Sequence, residues 1–552
     1  MGIEKDEKTE LTDAREKTLK KKLYQNAAVT LIGQLGKLFL QFVLQRVFIN
    51  TLGSEYLGYN SVFKNILQML NMADLGVGLA ITGYLYGPLA DEDHARVSAL
   101  MHIYKKVYHV IGSFVALLGV CLTVILPWII PDANCGYGYL RILFLINLIS
   151  VLCTYFLAYK RTLLIANQQS YYVNSVDLAA EIIGTAAQVV FLYLVPNYLI
   201  YLVINISKTL AANIIINIEC DKKYKHYIDK ADQNLVDAYK PTIGKYIADV
   251  FVSRIGAFVF SGTDNIVISA MMGSLQAGFL SNYTLVSSGI QGFVSKVLSS
   301  IQATYGNYVI KEPDKDKSRQ MTDNYLYADY VAANVCMLCC VILFQPFVRI
   351  CFGDKYVLGT LTPILLSANL NMSILMIIPS QVFTVYKLFK YETPVVTVSA
   401  TLNIIISILL VRRYGINGAL IGTTITSIVY LVSRLYIVSR WVFEIKFIHY
   451  IKKLVTYGVI SAVTAALMCF ITKKIYVDSL IAFFIYAVGI AAVSLLITLL
   501  ATCKMKEQRF LTDSLIKINK RVYRLILLGL LLIGAACVSY AMLTGGGVKP
   551  IS

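Results

Sequence analysis

The sequence predicts an all-α, polytopic integral membrane protein with about 14–15 transmembrane helices. Two pseudo-symmetric six-helix lobes are expected around a central cavity, followed by extra C-terminal helices. Three observations carry this reading. The first is composition: the 552 residues are 57% hydrophobic and 15% charged, with a mean hydropathy of +0.65. Soluble chains carry about 25% charged residues, and a disordered chain is far less apolar. The second is the recurrence of apolar runs long enough to cross ~30 Å of hydrocarbon. The third is the placement of Lys and Arg along the chain.

The runs fall at 26–48, 57–85, 107–130, 140–160, 171–195, 198–218, 244–271, 277–303, 326–350, 357–386, 394–412, 416–438, 453–472, 479–501 and 524–543. Short connections follow the odd-numbered spans, and longer charged ones follow most even-numbered spans. With the N-terminus inside, 35 Lys and Arg lie on inner segments and 8 on outer segments. That bias sets the expected orientation: a multi-pass protein of the bacterial plasma membrane with a cytoplasmic N-terminus. It also explains the net charge of +18 without nucleic acid as a partner.

One repeat is visible. Leu52–Ser61 and Met272–Ser281 share Gly53/Gly273, Ser54/Ser274, Gly58/Gly278 and Ser61/Ser281, with Tyr59 opposite Phe279. Six spans separate the copies, so the two halves keep the same orientation, as parallel repeats do. The expected organisation is a tail (1–24), an N-lobe (25–218), a linker (219–243), a C-lobe (244–438) and C-terminal spans (439–552).

Ionisable side chains inside spans are costly, so they are paired or functional. Span 1 aligns Gln34, Lys37, Gln41 and Gln45 on one helical face. Span 2 aligns Asn60, Lys64, Gln68, Asn71 and Asp74, while span 7 carries Asp249, Arg254 and Asp264, and span 8 carries Lys296. Two readings fit these stripes: a wet cavity, or polar residues bonded across a dry helix interface. In the cavity reading Lys37, Lys64, Arg254, Lys296, Gln34, Gln41 and Asn71 bind an anionic substrate. Asp74, Asp249 and Asp264 are the candidates for a coupling ion, Na⁺ or H⁺. Tyr59, Tyr246 and Tyr283 are candidates for stacking on sugar faces. Glu181 and Lys208, on spans 5 and 6, are expected to form a structural ion pair, and Arg434 to snorkel from span 12 to the membrane surface.

The cysteines suggest packing. Eleven are present, and Cys336-x-x-Cys339-Cys340 has no second pair at zinc spacing. There is no phosphate-binding G-x-x-x-x-G-K-[ST] motif. No convergent catalytic group appears among the five His, and no metal or organic cofactor is expected.

The run from Asp264 to Ile268, with Gly273, Gly278-Phe279 and Ser281 following, resembles the seventh-helix pattern of polysaccharide transporters. Tyr56-Leu57-Gly58-Tyr59 and Asp74-Leu75-Gly76 resemble their second helix. By these motifs the chain resembles a Wzx-type flippase of the multidrug/oligosaccharidyl-lipid/polysaccharide exporter superfamily. Phe279 stands where Tyr is usual, and a fifteenth span exceeds the usual number. The resemblance implies transport, not catalysis: undecaprenyl-pyrophosphate-linked oligosaccharide passes from inner to outer leaflet for surface polysaccharide synthesis, by alternating access. It also implies a lipid-linked glycan and the bilayer as partners, with a glycan polymerase or glycosyltransferases nearby. The rival readings are a cation-coupled multidrug exporter on the same scaffold, a membrane glycan-assembly enzyme and a scaffold subunit of a synthesis complex.

Overall fold

The computed structural model describes residues 36–70, 91–157, 159–167, 169–225, 232–241, 263–312, 314–386, 388–472 and 479–510, with a few single positions besides. These residues are helical with no strand among them, as a chain that must satisfy its own backbone in lipid requires. Ten of the described helices are long and apolar enough to cross a membrane. They answer to spans 3–6 and 9–14. Span 8 lies in the longer, more polar helix Ser274–Lys311. Only Asp264–Met272 of span 7 is described, and the fifteenth span lies outside the described residues.

The chain divides into two compact units. The first comprises Met1–Tyr56, Ile66–Trp128 and Ala133–Ile255. Its helices are His94–Ile129, Tyr137–Leu157, Tyr159–Ala166, Ser170–Leu194 and Tyr198–Tyr224. The 198–224 helix is central and packs against 137–157 and 170–194. Phe48 meets the rings of Tyr198 and Tyr201 edge-on at 5.6 and 5.0 Å.

Ion pairs occupy the inward faces of this unit. Lys208 lies 3.1 Å from Glu181, the pairing expected from the sequence. Asp177 instead takes a bidentate bond from Arg161 at 2.8 and 2.9 Å, and Arg161 also reaches Asn213. Each charge is thus satisfied locally, the condition under which an ion pair survives away from water.

The second unit comprises Leu57–Asn65, Ile129–Asp132 and Gly256–Ser552. It takes in two short segments from the first half of the sequence. Gly58 comes so close to Ser274 that a Cβ at residue 58 would fall 2.1 Å from the Ser274 carbonyl oxygen. Asp132 accepts the Ser274 backbone N–H at 3.0 and 3.1 Å and its hydroxyl at 3.1 Å, and the Ser269 hydroxyl donates to the Ile129 carbonyl at 2.8 Å. The repeat noted in the sequence has a backbone counterpart: Gly53 has φ of 89° and Gly273 of 95°, values that exclude most side chains.

The helices Phe389–Tyr414 and Ile416–Trp441 form a close hairpin turned at Gly415. Ile448–Thr472 and Leu480–Ala501 pack along Lys315–Phe352. There Tyr330 stacks on Tyr457 at 4.0 Å, Asn334 donates to Thr498 at 3.0 Å, and the Tyr327 and Thr502 hydroxyls lie 2.8 Å apart. Met337, Leu338, Met468, Phe483 and Tyr486 fill the apolar layer beside these bonds.

Arg434 does not snorkel. It is 8% exposed, and its guanidinium pairs with Glu392 and contacts Ser380. The Tyr430 hydroxyl donates to the same Glu392 carboxylate at 2.7 Å, and the Tyr430 ring lies 4.4 Å beneath the guanidinium. The physical reason is that the helix starts at Phe389. Glu392 therefore sits in its first turn, within reach of the neighbouring helix, and a buried carboxylate holds the cation more firmly than a distant interface does.

Candidate functional site

The best-defined candidate site is built around Asp264, at the start of the 264–272 helix. The Thr423 hydroxyl lies 2.8 Å from both Asp264 carboxylate oxygens and donates to them. Thr423 in turn accepts from the Asn403 amide at 3.0 Å, and the same amide donates to Thr426 at 3.0 Å. The Asn403 side-chain oxygen accepts the hydroxyl of Thr263 at 3.1 Å. Three helices thus direct a carboxylate, three hydroxyls and one carboxamide into one place.

Helix geometry explains the gathering. Thr423 and Thr426 are one turn apart on the 416–441 helix, so both face Asn403 across the hairpin. Thr426 sends its own proton back to the Gly422 carbonyl at 2.8 Å, leaving its oxygen free to accept. Thr423 has one proton and gives it to Asp264, so the bonds run in one direction, from Asn403 through Thr423 to the carboxylate. The result is a single carboxyl group joined through Thr423 to a chain of neutral oxygens. A donor set of that kind suits a hard monovalent cation or a proton; soft transition metals select nitrogen and sulfur. Among the described residues no cluster of three His, Cys, Asp or Glu side chains is placed to hold a metal.

Of the other substrate-binding and coupling candidates from the sequence, four lie among the described residues. Lys37 is half-buried and Gln41 exposed on the helical stretch before Gly53. Lys64 is exposed on the stretch after it, with Gln68 exposed one turn on and Asn60 buried. Lys296 is exposed on the 274–311 helix. Gln34, Asn71, Asp74, Asp249 and Arg254 lie outside the described residues. Tyr59 and Tyr283 are fully buried, and the Tyr283 hydroxyl accepts the Leu358 N–H at 2.9 Å, so neither ring presents a face for sugar. Tyr246 lies outside the described residues. Phe279 packs edge-on against Tyr356 at 5.2 Å, a contact that needs no phenol oxygen.

Sequence reasoning reached Asp264 and missed Thr263, Asn403, Thr423 and Thr426. All four are neutral polar residues in apolar helices, and hydropathy does not separate them from ordinary helix–helix bonding.

Comparison with known proteins agrees with this architecture. A family model described as polysaccharide biosynthesis protein matches residues 23–304. No curated protein sequence matches the chain. Among solved structures, the lipid II flippase MurJ in an inward closed conformation superposes with a TM-score of 0.62 at 16% identity, covering 86% of this chain and 97% of that one. An inward-facing multidrug resistance MATE transporter of the MOP superfamily gives 0.56 at 14% identity, with 74% and 98% covered. The eukaryotic MATE transporter AtDTX14 gives 0.54 at 12%, with 76% and 95% covered. At these identities the likeness concerns the fold, which is that of MOP-superfamily flippases and MATE exporters.

Proposed function

Because the chain belongs to the polysaccharide biosynthesis protein family, we propose that it is a flippase for a polyprenyl-pyrophosphate-linked oligosaccharide. In this reading the substrate moves from the inner to the outer leaflet of a bacterial plasma membrane, for surface polysaccharide assembly. The observation that carries the reading is the exposure of Lys64 and Lys296 on helical stretches that the sequence reads as spans 2 and 8. A lysine held in hydrocarbon costs about 2.5–3.5 kcal/mol or more, so an exposed lysine within a span calls for a wet surface. Such a surface suits a pyrophosphate and its sugars.

The chemistry follows from desolvation. Each unpaired sugar hydroxyl costs roughly 2–7 kcal/mol on entering an apolar medium. A water-filled, cationic passage removes that cost while the polyprenyl chain stays in lipid. Lys37, Lys64, Arg254 and Lys296, with Gln34, Gln41 and Asn71, would hold the anionic head. An inside-negative potential assists outward movement of negative charge by ~2.3 kcal/mol per charge per 100 mV. The Asp264 cluster would bind the coupling Na⁺ or H⁺, whose release favours the opposite access state; Asp74 and Asp249 are further candidates. Alternating access would come from rocking of the 25–218 and 244–438 halves about the 219–243 linker.

The test is export in cells and flipping in vesicles. Lys64→Ala and Lys296→Ala should abolish surface glycan and flipping of a fluorescent lipid-linked oligosaccharide, with the protein still in the membrane. Normal export by both variants refutes the reading. The MATE-like fold keeps a cation-coupled drug exporter as the alternative. Energy-dependent efflux of a cationic dye that survives Lys64→Ala and Lys296→Ala, without any glycan flipping, would favour it.

A further inference from the structure

The His94–Ile129 helix continues past the stretch that faces lipid. Val110, Phe114, Leu117, Val124 and Trp128 are 51–74% exposed along one side. From Val110 to Trp128 the helix rises about 27 Å, close to the ~30 Å of a hydrocarbon core. The residues that precede Val110 change character. His102, Lys105, Lys106 and His109 are all exposed, and with Val110 and Ser113 they line a groove of about 470 Å³. Within about two turns of the apolar stretch, these four lie at headgroup depth.

The groove has a fixed floor. On the opposite side of the helix, Leu100, Tyr104 and Tyr108 are buried, and the Tyr104 hydroxyl lies 2.7 Å from that of Thr162. The Lys105 ammonium lies 5.9 Å from the Tyr159 ring centroid, and the His109 ring lies 5.6 Å from that of Phe156. Two of the four polar groups are thus held by neighbouring aromatic rings. No carboxylate lines the groove among the described residues. The carboxylate of Asp221 nearby is taken by Lys160 at 2.5 and 2.6 Å.

We propose that this groove binds the phosphate headgroup of an anionic phospholipid at the membrane boundary. Two ammonium groups supply point charges for a phosphate. Two imidazoles each keep at least one N–H donor in either protonation state. The apolar face that begins at Val110 gives the acyl chains a surface directly beneath. That continuity selects a phospholipid over free phosphate, which would gain nothing from the apolar side. Basic pockets at this level are the usual receptors for acidic headgroups. The inference is independent of the flippase reading and requires only that the chain spans a membrane.

The experiment uses the full-length protein, purified and delipidated in a neutral detergent. Phosphatidylglycerol and phosphatidylcholine are titrated separately, and bound lipid is counted by native mass spectrometry. The expected result is saturable retention of phosphatidylglycerol over phosphatidylcholine, unaffected by inorganic phosphate at equal concentration. Lys105→Gln with Lys106→Gln should weaken it about 30-fold, and Lys105→Arg with Lys106→Arg should restore it. Lys504→Gln with Lys506→Gln, which removes two exposed charges from the second unit, should leave it unchanged. Equal retention of the two lipids, displacement by inorganic phosphate, or equal loss in the control variant overturns the proposal. All these side chains are exposed, and size-exclusion chromatography checks that each variant is folded.

Discussion

The Asp132 carboxylate holds Ser274 by three hydrogen bonds, two to its backbone N–H and one to its hydroxyl. The bonds place a negative charge at the start of the 38-residue helix Ser274–Lys311, where unpaired N–H groups and the helix dipole favour it. Asp132→Ala is expected to lower stability by about 1–3 kcal/mol, and Asp132→Asn, which keeps one acceptor oxygen, by less. Thermal unfolding in detergent reads both, and an unchanged midpoint for Asp132→Ala would remove this bond set from the account of the second unit.

Gly58 is constrained from the same place. A methyl group there would overlap the Ser274 carbonyl, which is backbone and cannot swing away. Gly58→Ala is expected to destabilise by roughly 1–3 kcal/mol, and Gly58→Val by more. Gly53 has open space around its missing Cβ, so substitution there acts through φ alone and should cost about 1–2 kcal/mol. A series in which Gly53→Ala is the more harmful change would contradict the packing argument.

Arg434 and Glu392 offer a test of a buried pair. Their side chains are 9% and 4% exposed. Removing one partner strands the other, so Glu392→Ala is expected to cost about 3–5 kcal/mol. Replacing both, as Glu392→Leu with Arg434→Met, should cost much less than the sum of the single changes. A double-mutant cycle measures the difference, and additive effects would show that the two do not interact.

Asp264→Asn separates charge from shape. The carboxamide oxygen can still accept the Thr423 hydroxyl, so folding should be nearly unchanged. Loss of the charge should abolish cation-dependent transport in vesicles. Thr423→Val, which takes away the hydroxyl and leaves the carboxylate, should weaken that dependence without abolishing it. Transport by Asp264→Asn with an unaltered ion response would exclude this cluster as the coupling site.

Much of the helical architecture could be read from hydropathy. The expected spans 171–195 and 416–438 correspond to Ser170–Leu194 and Ile416–Trp441. Agreement is poorest where helices leave the lipid. The span expected from residue 107 begins at His94, because backbone hydrogen bonding continues into water while hydropathy stops. Pairings across long sequence distances were less visible. Glu181 and Lys208 stood out because both are charged inside spans. Thr423, 159 positions from Asp264, carries no charge to mark it. Arg434 was misplaced because its partner lay in what composition presented as a loop.

The sequence holds only two tryptophans. Trp128 stands at the end of the 94–129 helix at 74% exposure, and Trp441 closes the 416–441 helix and stacks on Tyr391 at 4.8 Å. In the orientation proposed from the Lys and Arg bias, those two helix ends face opposite sides of the bilayer. The intrinsic ultraviolet emission of the unlabelled protein is then a gauge of sidedness: an impermeant quencher added outside sealed vesicles should darken one indole and leave its ring-stacked counterpart glowing.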